Sequence, residues 1–464
     1  MKQLQKNKTL YFLLILVFVC RLLLLFIFKP WLPEIQDKVV LLYDAVGYHK
    51  LALILLETFR IKNEILRTPI YPAFIAVFYA LFGVKPFIVL FAQIFISVAT
   101  GYFFYKIIAQ LSNRMIANIA LFIFAIEPTL ILYTTFLYSE VLFMFFTMFS
   151  LYLIIGGLKQ NKILYFILAG ISLGLATLTR PAGQYLIIVY VLLVIFYTLK
   201  NNSSKLKFAV LLTVFYLLSI FPWAMRNYIY YGRFKLSNTM DHNALILSSF
   251  YTEFQNSKLP RDTIIQHFLY QLKAAAPTNL KDSMPSNFAE LNRRQSFENT
   301  DIFAKVAKNY LLSHKKEFIL AQIQGAINLH VNMGTEQYML RLHQETKRWD
   351  IKDKVGLGLF AAAKKFFATK TTTEIALGIF ILSLLVIVYG YTLVGIGYTI
   401  KNKDFYILIF CILNIGYYVS LSSIYPTPRF RNPFMPFYIF LAAYGIYNLH
   451  QKLFGRNNIN VNNR

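Results

Sequence analysis

Seven ionisable residues stand where an otherwise apolar chain changes character: Asp44, Arg67, Glu140, Arg180, Arg226, Arg429 and Arg431. Each adjoins a run of hydrophobic residues, where an ionised side chain is costly and therefore informative. A carboxylate can take the proton from a hydroxyl nucleophile as its new bond forms. A guanidinium presents a planar fork that grips phosphate oxygens bidentately and stabilises charge developing on a phosphate leaving group. Carboxylates beside several arginines thus equip a surface to hold an anion and to take up a proton. Bland readings exist for each residue singly: snorkelling to lipid phosphates for an arginine, a helix N-cap for Asp44, a favourable dipole contact for Glu140. For the set together, an anionic ligand such as a phosphate is the better account.

What must position these groups is a membrane. The chain has 464 residues, 57% of them hydrophobic and only 15% charged, against about a quarter charged in a soluble domain. Its 44 Phe and 32 Tyr suit lipid-facing and interfacial positions. A net charge of +26 would point to nucleic acid in a soluble protein. Here the basic residues lie mainly in loops between apolar runs, where they orient helices and meet anionic lipid, which argues against nucleic acid. Cys20 and Cys411 fall inside apolar runs and read as packing residues, with no disulfide framework and no zinc spacing. The first apolar run ends in Lys29-Pro30-Trp31 without a small-residue cleavage site, so it reads as an uncleaved helix.

A spanning helix needs about 20 apolar residues, and by that criterion about ten are expected. They are Leu10–Phe28, Phe87–Ile108, Met115–Tyr133, Val141–Ile155, Ile163–Thr179, Tyr185–Tyr197, Phe208–Met225, Ile375–Ile400, Phe405–Leu421 and Phe434–Leu453. If these simply alternate, Lys2, Lys6, Lys8, Arg114, Lys159, Lys162, Lys200, Lys205, Lys207, Lys401, Lys403, Lys452, Arg456 and Arg464 share one side. The positive-inside rule makes that side, with both termini, cytoplasmic. The expected organisation is therefore a catalytic membrane module over 1–226, a non-cytoplasmic loop region over 227–374, and C-terminal spanning helices over 375–464. In the first outer loop, Lys29–Lys85, the stretches Tyr43–Phe59 and Ile70–Phe82 read as helices along the interface, with a short spanning pair as the alternative. The second outer segment is polar and Tyr-rich, with amphipathic stretches at Ile302–Leu312 and Phe318–Val331, and reads as too irregular for an independent domain. Asn201-Asn202-Ser203-Ser204 matches a glycosylation acceptor but maps to the cytoplasm, as a polar linker. The middles of the spans read as almost purely apolar and no internal repeat is visible, whereas transporters place charged sites near the midplane between repeated halves.

At these residues the sequence resembles the GT-C glycosyltransferases, particularly the bacterial family 39 group that includes protein O-mannosyltransferases and the lipid A aminoarabinose transferase. Asp44-Ala45-Val46-Gly47-Tyr48-His49-Lys50-Leu51-Ala52 is similar to the family's acidic juxtamembrane helix. Arg67-Thr68-Pro69-Ile70-Tyr71-Pro72 with Leu81-Phe82-Gly83 resembles its basic-Pro-x-Tyr-Pro element, and Pro128 with Ser139-Glu140 its Pro…Ser-Glu pair. Gly174-Leu175-Ala176 with Thr179-Arg180-Pro181, then Pro222-Trp223-Ala224-Met225-Arg226-Asn227-Tyr228 with Gly232, resemble two further signatures. Arg429-Phe430-Arg431-Asn432-Pro433 with Pro436 resembles a last one. The first loop offers one clear acid where the mannosyltransferases have an adjacent pair, and no large folded module stands at the C-terminus.

The resemblance implies an all-α, GT-C-like bundle and a hexosyl- or pentosyltransferase working at the non-cytoplasmic face of the cell membrane. The donor it implies is a sugar on a polyprenyl phosphate, transferred with inversion to a glycolipid, polysaccharide or protein. Asp44 is then the candidate base, with Glu140 the second catalytic candidate. Arg67, Arg429, Arg431, Arg180 and Arg226 are candidates for the donor phosphate, and Tyr48 and Tyr71 for lining the substrate. His49, five residues beyond Asp44, falls on another helix face. A divalent metal is compatible with the superfamily, but no spacing here specifies one, and no nucleotide-binding Gly-rich loop is present. The competing readings are a lipid-linked glycan polymerase or ligase and, further off, a lipid or polysaccharide transporter.

Overall fold

The computed structural model describes residues 2–61, 64–200, 206–257, 259–293, 296–346, 359–422 and 426–454. The expectations for Asn201–Ser204, Lys205, Arg456 and Arg464 lie outside these residues. Among the described residues the secondary structure is helical, without a β-strand. In chain order the helices that matter for function are α1 (Lys2–Phe28), α2 (Asp44–Thr58), α3 (Ile70–Phe82), α4 (Pro86–Leu111), α5 (Arg114–Ile126), α6 (Glu140–Gln160), α7 (Ile163–Thr179), α8 (Leu186–Lys200) and α9 (Leu206–Tyr231). They continue as α10 (Arg261–Ala275), α11 (Phe297–Ser313), α12 (Lys315–Val331), α13 (Thr335–Arg341), α14 (Thr372–Lys401), α15 (Phe405–Ser422) and α16 (Met435–Phe454).

Seven helices among the described residues are long and apolar enough to cross a membrane, and nine if each of two bent pairs counts as one span. The chain is an all-α polytopic membrane protein. The departures from the expected spans have local causes. Met115–Tyr133 is broken between α5 and Pro128–Leu132, with a 58° bend from Arg114–Ile126 to Pro128–Thr135. Pro128 cannot donate to the turn before it. The Glu127 carboxylate caps the new turn instead, accepting from the Leu130 amide at 2.6 Å and the Thr129 hydroxyl at 2.9 Å. The last helix, α16, has too polar a C-terminal half to pass as a span, yet its first half is buried at the centre of the bundle against α14 and α5. Two glycines permit that approach. A Cβ at Gly395 would stand 1.9 Å from the Leu441 carbonyl oxygen, and one at Gly445 2.4 Å from that of Tyr391. Small residues allowing backbones to touch are a general means of joining membrane helices.

One correction concerns the helix middles, which are not purely apolar. Arg21 lies fully buried within α1. It donates to Ser97 Oγ at 2.7 Å and to the carbonyls of Val17, Ala125 and Phe124 at 3.1, 3.3 and 3.4 Å, tying α1 to α4 and α5. These acceptors are what makes the charge tolerable there.

The two segments expected outside the membrane are helical as well. In the first, α2 and α3 pack on one another and on the bundle, and Pro33–Val40 meets α2 at 112°. In the second, Ile264, Ile265, Phe268, Leu269 and Leu272 of α10 close with Ile302, Phe303, Val306, Ala307 and Tyr310 of α11 around a hydrophobic cluster separate from that of the bundle. The amphipathic spacing of both helices accounts for it. An element that looks irregular in sequence thus has its own small core.

Candidate active site

Asp44 is the first residue of α2, behind Tyr43, whose backbone takes φ 54 and ψ −123 and whose side chain makes no cap bond. Such a conformation is costly for a residue with a bulky side chain. The Asp44 carboxylate turns away from the helix end. Its Oδ2 accepts from Arg429 Nη1 at 2.7 Å, and its Oδ1 lies 3.5 Å from Arg67 Nη2. Arg67 sits in a turn formed by Glu64, which accepts from the amides of Leu66 and Arg67, both at 2.8 Å. Gly47, one turn into α2, leaves room for it: a Cβ there would stand 2.4 Å from Arg67 Cζ.

Arg429 carries the chain of charges onward. Its Nε is 3.1 Å from Glu140 Oε1, and Glu140 is also ion-paired with Arg180. Glu140 opens α6, where a carboxylate also complements the helix dipole. Arg180 follows α7 in the extended conformation favoured by a residue before proline. The result is one connected sequence, Arg67–Asp44–Arg429–Glu140–Arg180, drawn from five separate stretches of chain. It has an open and a closed end: the Asp44 side chain is 41% exposed and that of Glu140 2%.

Aromatic rings line this cluster. Tyr48 and Tyr71 meet edge to face at 4.8 Å, with the Arg67 guanidinium 5.3 Å above the Tyr48 ring. Arg429 lies over Tyr138 and Phe430 at 5.1 and 4.9 Å, and Arg180 over Phe430 at 5.2 Å. The Tyr48 hydroxyl donates to Ser139 Oγ at 3.2 Å, next to Glu140. The Tyr71 hydroxyl donates to Gln93 Oε1 at 2.7 Å, while Gln93 Nε2 donates to the carbonyls of Thr134 and Phe136 at 3.1 and 2.8 Å. Gln93 therefore fixes the backbone that leads into Glu140. It was not among the expected residues, although a lone Gln in an apolar span is a signal of its own. Arg341 was missed too. It lies buried between the rings of Phe28 and Phe136, with Nε and Nη2 lacking hydrogen-bond partners among the described residues.

Desolvation pushes the Asp44 carboxyl up, but the charges of Arg429 and Arg67 outweigh it and hold the group below the usual carboxylate range. Desolvation works against the charge of Arg429 as well, yet Glu140 and Asp44 raise it beyond its ordinary value. Asp44 and Arg429 therefore stay ionised across the neutral range. Among the described residues no group of three or more His, Cys, Asp or Glu gathers as a metal site, and both carboxylates of the cluster face arginines.

Two of the expected arginines stand elsewhere. Arg226 bonds Asn227 Oδ1 and the Ile61 carbonyl, under the rings of Trp223, Tyr230 and Tyr231. Arg431 is fully buried. It donates to the carbonyls of Leu329, His330 and Asn332 at 3.3, 3.2 and 2.8 Å and to Thr129 Oγ1 at 2.7 Å. These bonds join the end of α12 to the break after α5. Arg431→Lys is thus expected to cost stability, since carbonyls that lose a charged donor cost about 1–3 kcal/mol each. A thermal melt in detergent should show the loss with donor binding intact in the folded fraction; a wild-type melt with weakened donor binding would place Arg431 at the ligand instead.

Residues 67–225 match the family model described as dolichyl-phosphate-mannose-protein mannosyltransferase. That stretch holds Arg67, Glu140 and Arg180 of the cluster. The *Archaeoglobus fulgidus* oligosaccharyltransferase tethered to an acceptor peptide is 14% identical, with a TM-score of 0.52 over 97% of this chain and 51% of that one. The chain carries the GT-C fold. The archaeal oligosaccharyltransferase AglB from Archaeoglobus fulgidus, in complex with an inhibitory peptide and a dolichol-phosphate, gives 12% identity and a TM-score of 0.50 over 96% of this chain and 51% of that one. ArnT from *Cupriavidus metallidurans*, bound to undecaprenyl phosphate, gives 13% and 0.36 over 86% and 72%. No curated protein matches the sequence. This GT-C chain spans about half the length of the oligosaccharyltransferase it resembles. In its GT-C bundle, Asp44 and Arg429 complete the cluster from outside the matched stretch.

Proposed function

We propose that the chain is a membrane glycosyltransferase that moves a sugar from a polyprenyl phosphate to an acceptor hydroxyl, with inversion, on the non-cytoplasmic side. One observation carries this: Asp44, at the open end of the cluster, lies between Arg429 and Arg67, two guanidinium groups able to hold an anion beside a base. A structural neighbour holding dolichol-phosphate supports a lipid-borne phosphate as that anion.

The chemistry follows from the charges. Without donor, the carboxylates of Asp44 and Glu140 occupy the guanidinium forks. A donor phosphate competes for Arg67 and Arg429 and loads them with the negative charge that the leaving group develops. As these arginines turn to phosphate, Asp44 loses the partners that depress its basicity and becomes a better acceptor for the hydroxyl proton. Glu140 and Arg180, at the buried end, hold Arg429 in place. Tyr48, half-buried one turn beyond Asp44, is the ring against which a sugar can rest, while Tyr71 is fully buried and backs it edge to face. With both termini in the cytoplasm, the cluster opens to the other side.

Deletion of the coding sequence is expected to remove one sugar from a cell-envelope glycan, read by mass spectrometry and restored by the wild-type chain but not by Asp44→Asn. An unchanged glycan profile would overturn the proposal. For sidedness, single cysteines at Lys159 and Asn287, both exposed, should label oppositely with an impermeant reagent in intact cells. Equal labelling would remove the topology.

A further inference from the structure

Helix α12 reverses the usual amphipathic arrangement. Ile319, Leu320, Ile323 and Ile327 are all exposed. Their i, i+1, i+4, i+8 spacing aligns them in one stripe. Between Phe318 and Leu329 there is no charged residue, while Lys315 and Lys316 open the helix exposed. The inward face is made by Ala321, Gly325, Asn328 and Leu329.

The neighbours of α12 define the level at which it lies. Near its N-terminus Ala321 packs on Tyr251, within the polar segment that precedes it. Near its C-terminus Leu329 joins the core of the bundle, His330 Nε2 lies 2.8 Å from the Tyr438 hydroxyl of α16, and the Tyr389 hydroxyl of α14 donates to the His330 carbonyl at 3.2 Å. The helix also packs against α15, whose own outward residues include Ile412 and Leu421. The helix bearing the apolar stripe thus packs beside a helix long and apolar enough to span, whose own outward residues are apolar, at the edge where the polar segment begins. A stripe of this length, about 12 Å at the helical rise, is too short to span and suits a helix lying in the bilayer boundary.

We propose that α12 is embedded in the membrane interface, with Ile319, Leu320, Ile323 and Ile327 among acyl chains and Lys315 and Lys316 at anionic lipid headgroups. The inference concerns the fold and stands apart from the sugar-transfer reading. Its consequence reaches the site, because the carbonyls at the end of α12 hold Arg431, two residues from Arg429. Lipid seating of α12 thus helps to position the turn that bears Arg429.

The test is spin labelling of the full chain, with both native cysteines replaced by serine, in vesicles of phosphatidylethanolamine and phosphatidylglycerol. A label at Ile323→Cys is expected to be more accessible to oxygen than to a water-soluble nickel complex, as a label at Ile412→Cys should be. A label at Tyr270→Cys, on the exposed face of α10, should show the reverse order. Nickel access at 323 equal to that at 270 would put the stripe in water and overturn the proposal. Dipolar broadening between labels at 323 would overturn it in favour of a second copy. Independently, Ile327→Trp should add fluorescence that lipids brominated near the top of the acyl chains quench; added fluorescence indifferent to bromine would also overturn it.

Discussion

Asp44→Asn is expected to lower the rate of sugar transfer by about 10²–10⁴-fold, the usual loss when a general base is removed, with donor binding retained. Asn keeps the shape and the hydrogen-bond reach but cannot take the proton. A capping role for Asp44, under which Asn would be nearly silent, has little in its favour: the N-cap position belongs to Tyr43, and the carboxylate faces Arg429 and Arg67 instead. The pH profile supplies a second reading. Because the charges of Arg429 and Arg67 depress the folded-state pKa of Asp44, its ionised form persists as pH falls until the lowered value is passed. The contribution of its ion pairs to stability is present above the ordinary carboxylate pKa and lost only through that more acid range. kcat/KM, which reports the free enzyme, should therefore lose activity only below the usual carboxylate range. kcat, which reports the donor complex, should fall at a higher pH, since the arginines have turned to phosphate. Near-normal transfer by Asp44→Asn, or identical acid limbs for both parameters, would sink this account.

Arg429→Lys should have the next largest effect. Arg429 meets two carboxylates through two nitrogens, Nη1 to Asp44 and Nε to Glu140, and a lysine has only one nitrogen to offer. Losing one charged hydrogen bond costs about 1.5–3 kcal/mol, so a fall of roughly 10–100-fold in donor use is expected at unchanged expression and monodispersity. Arg67→Lys should cost less, because Arg67 contacts Asp44 at the longer distance of 3.5 Å. Wild-type turnover by both variants would show that these arginines do not hold the phosphate.

How much of this was visible in the residue order depends on the range of the interaction concerned. Helix type and position are local properties, so Phe87–Ile108 was expected and Pro86–Leu111 is found. The break in the third expected span was legible in principle, because Glu127-Pro128 couples a carboxylate cap to a residue that cannot continue the turn. The small core of the polar segment was harder to see. It depends on α10 and α11 facing each other, and neither amphipathic stripe names its partner.

The arginines show the same division. Their number and their place at the ends of apolar runs follow from sequence alone, because a charge beside lipid is expensive and must have a reason. Which of them meet is a matter of tertiary packing. Asp44 and Arg429 are 385 positions apart yet share a hydrogen bond. Arg429 and Arg431 sit on one short turn and serve opposite ends: the first reaches the open carboxylate, the second is spent on the carbonyls that end α12. Nothing in an Arg-Phe-Arg spacing distinguishes them, since that turn merely directs the two side chains apart. The chain's own residues thus determined a membrane-spanning helical protein with cationic helix ends. Only the bundle, by bringing α2, α6, the end of α7 and the Arg429 turn to one place, decided which charges form a site and which hold the fold.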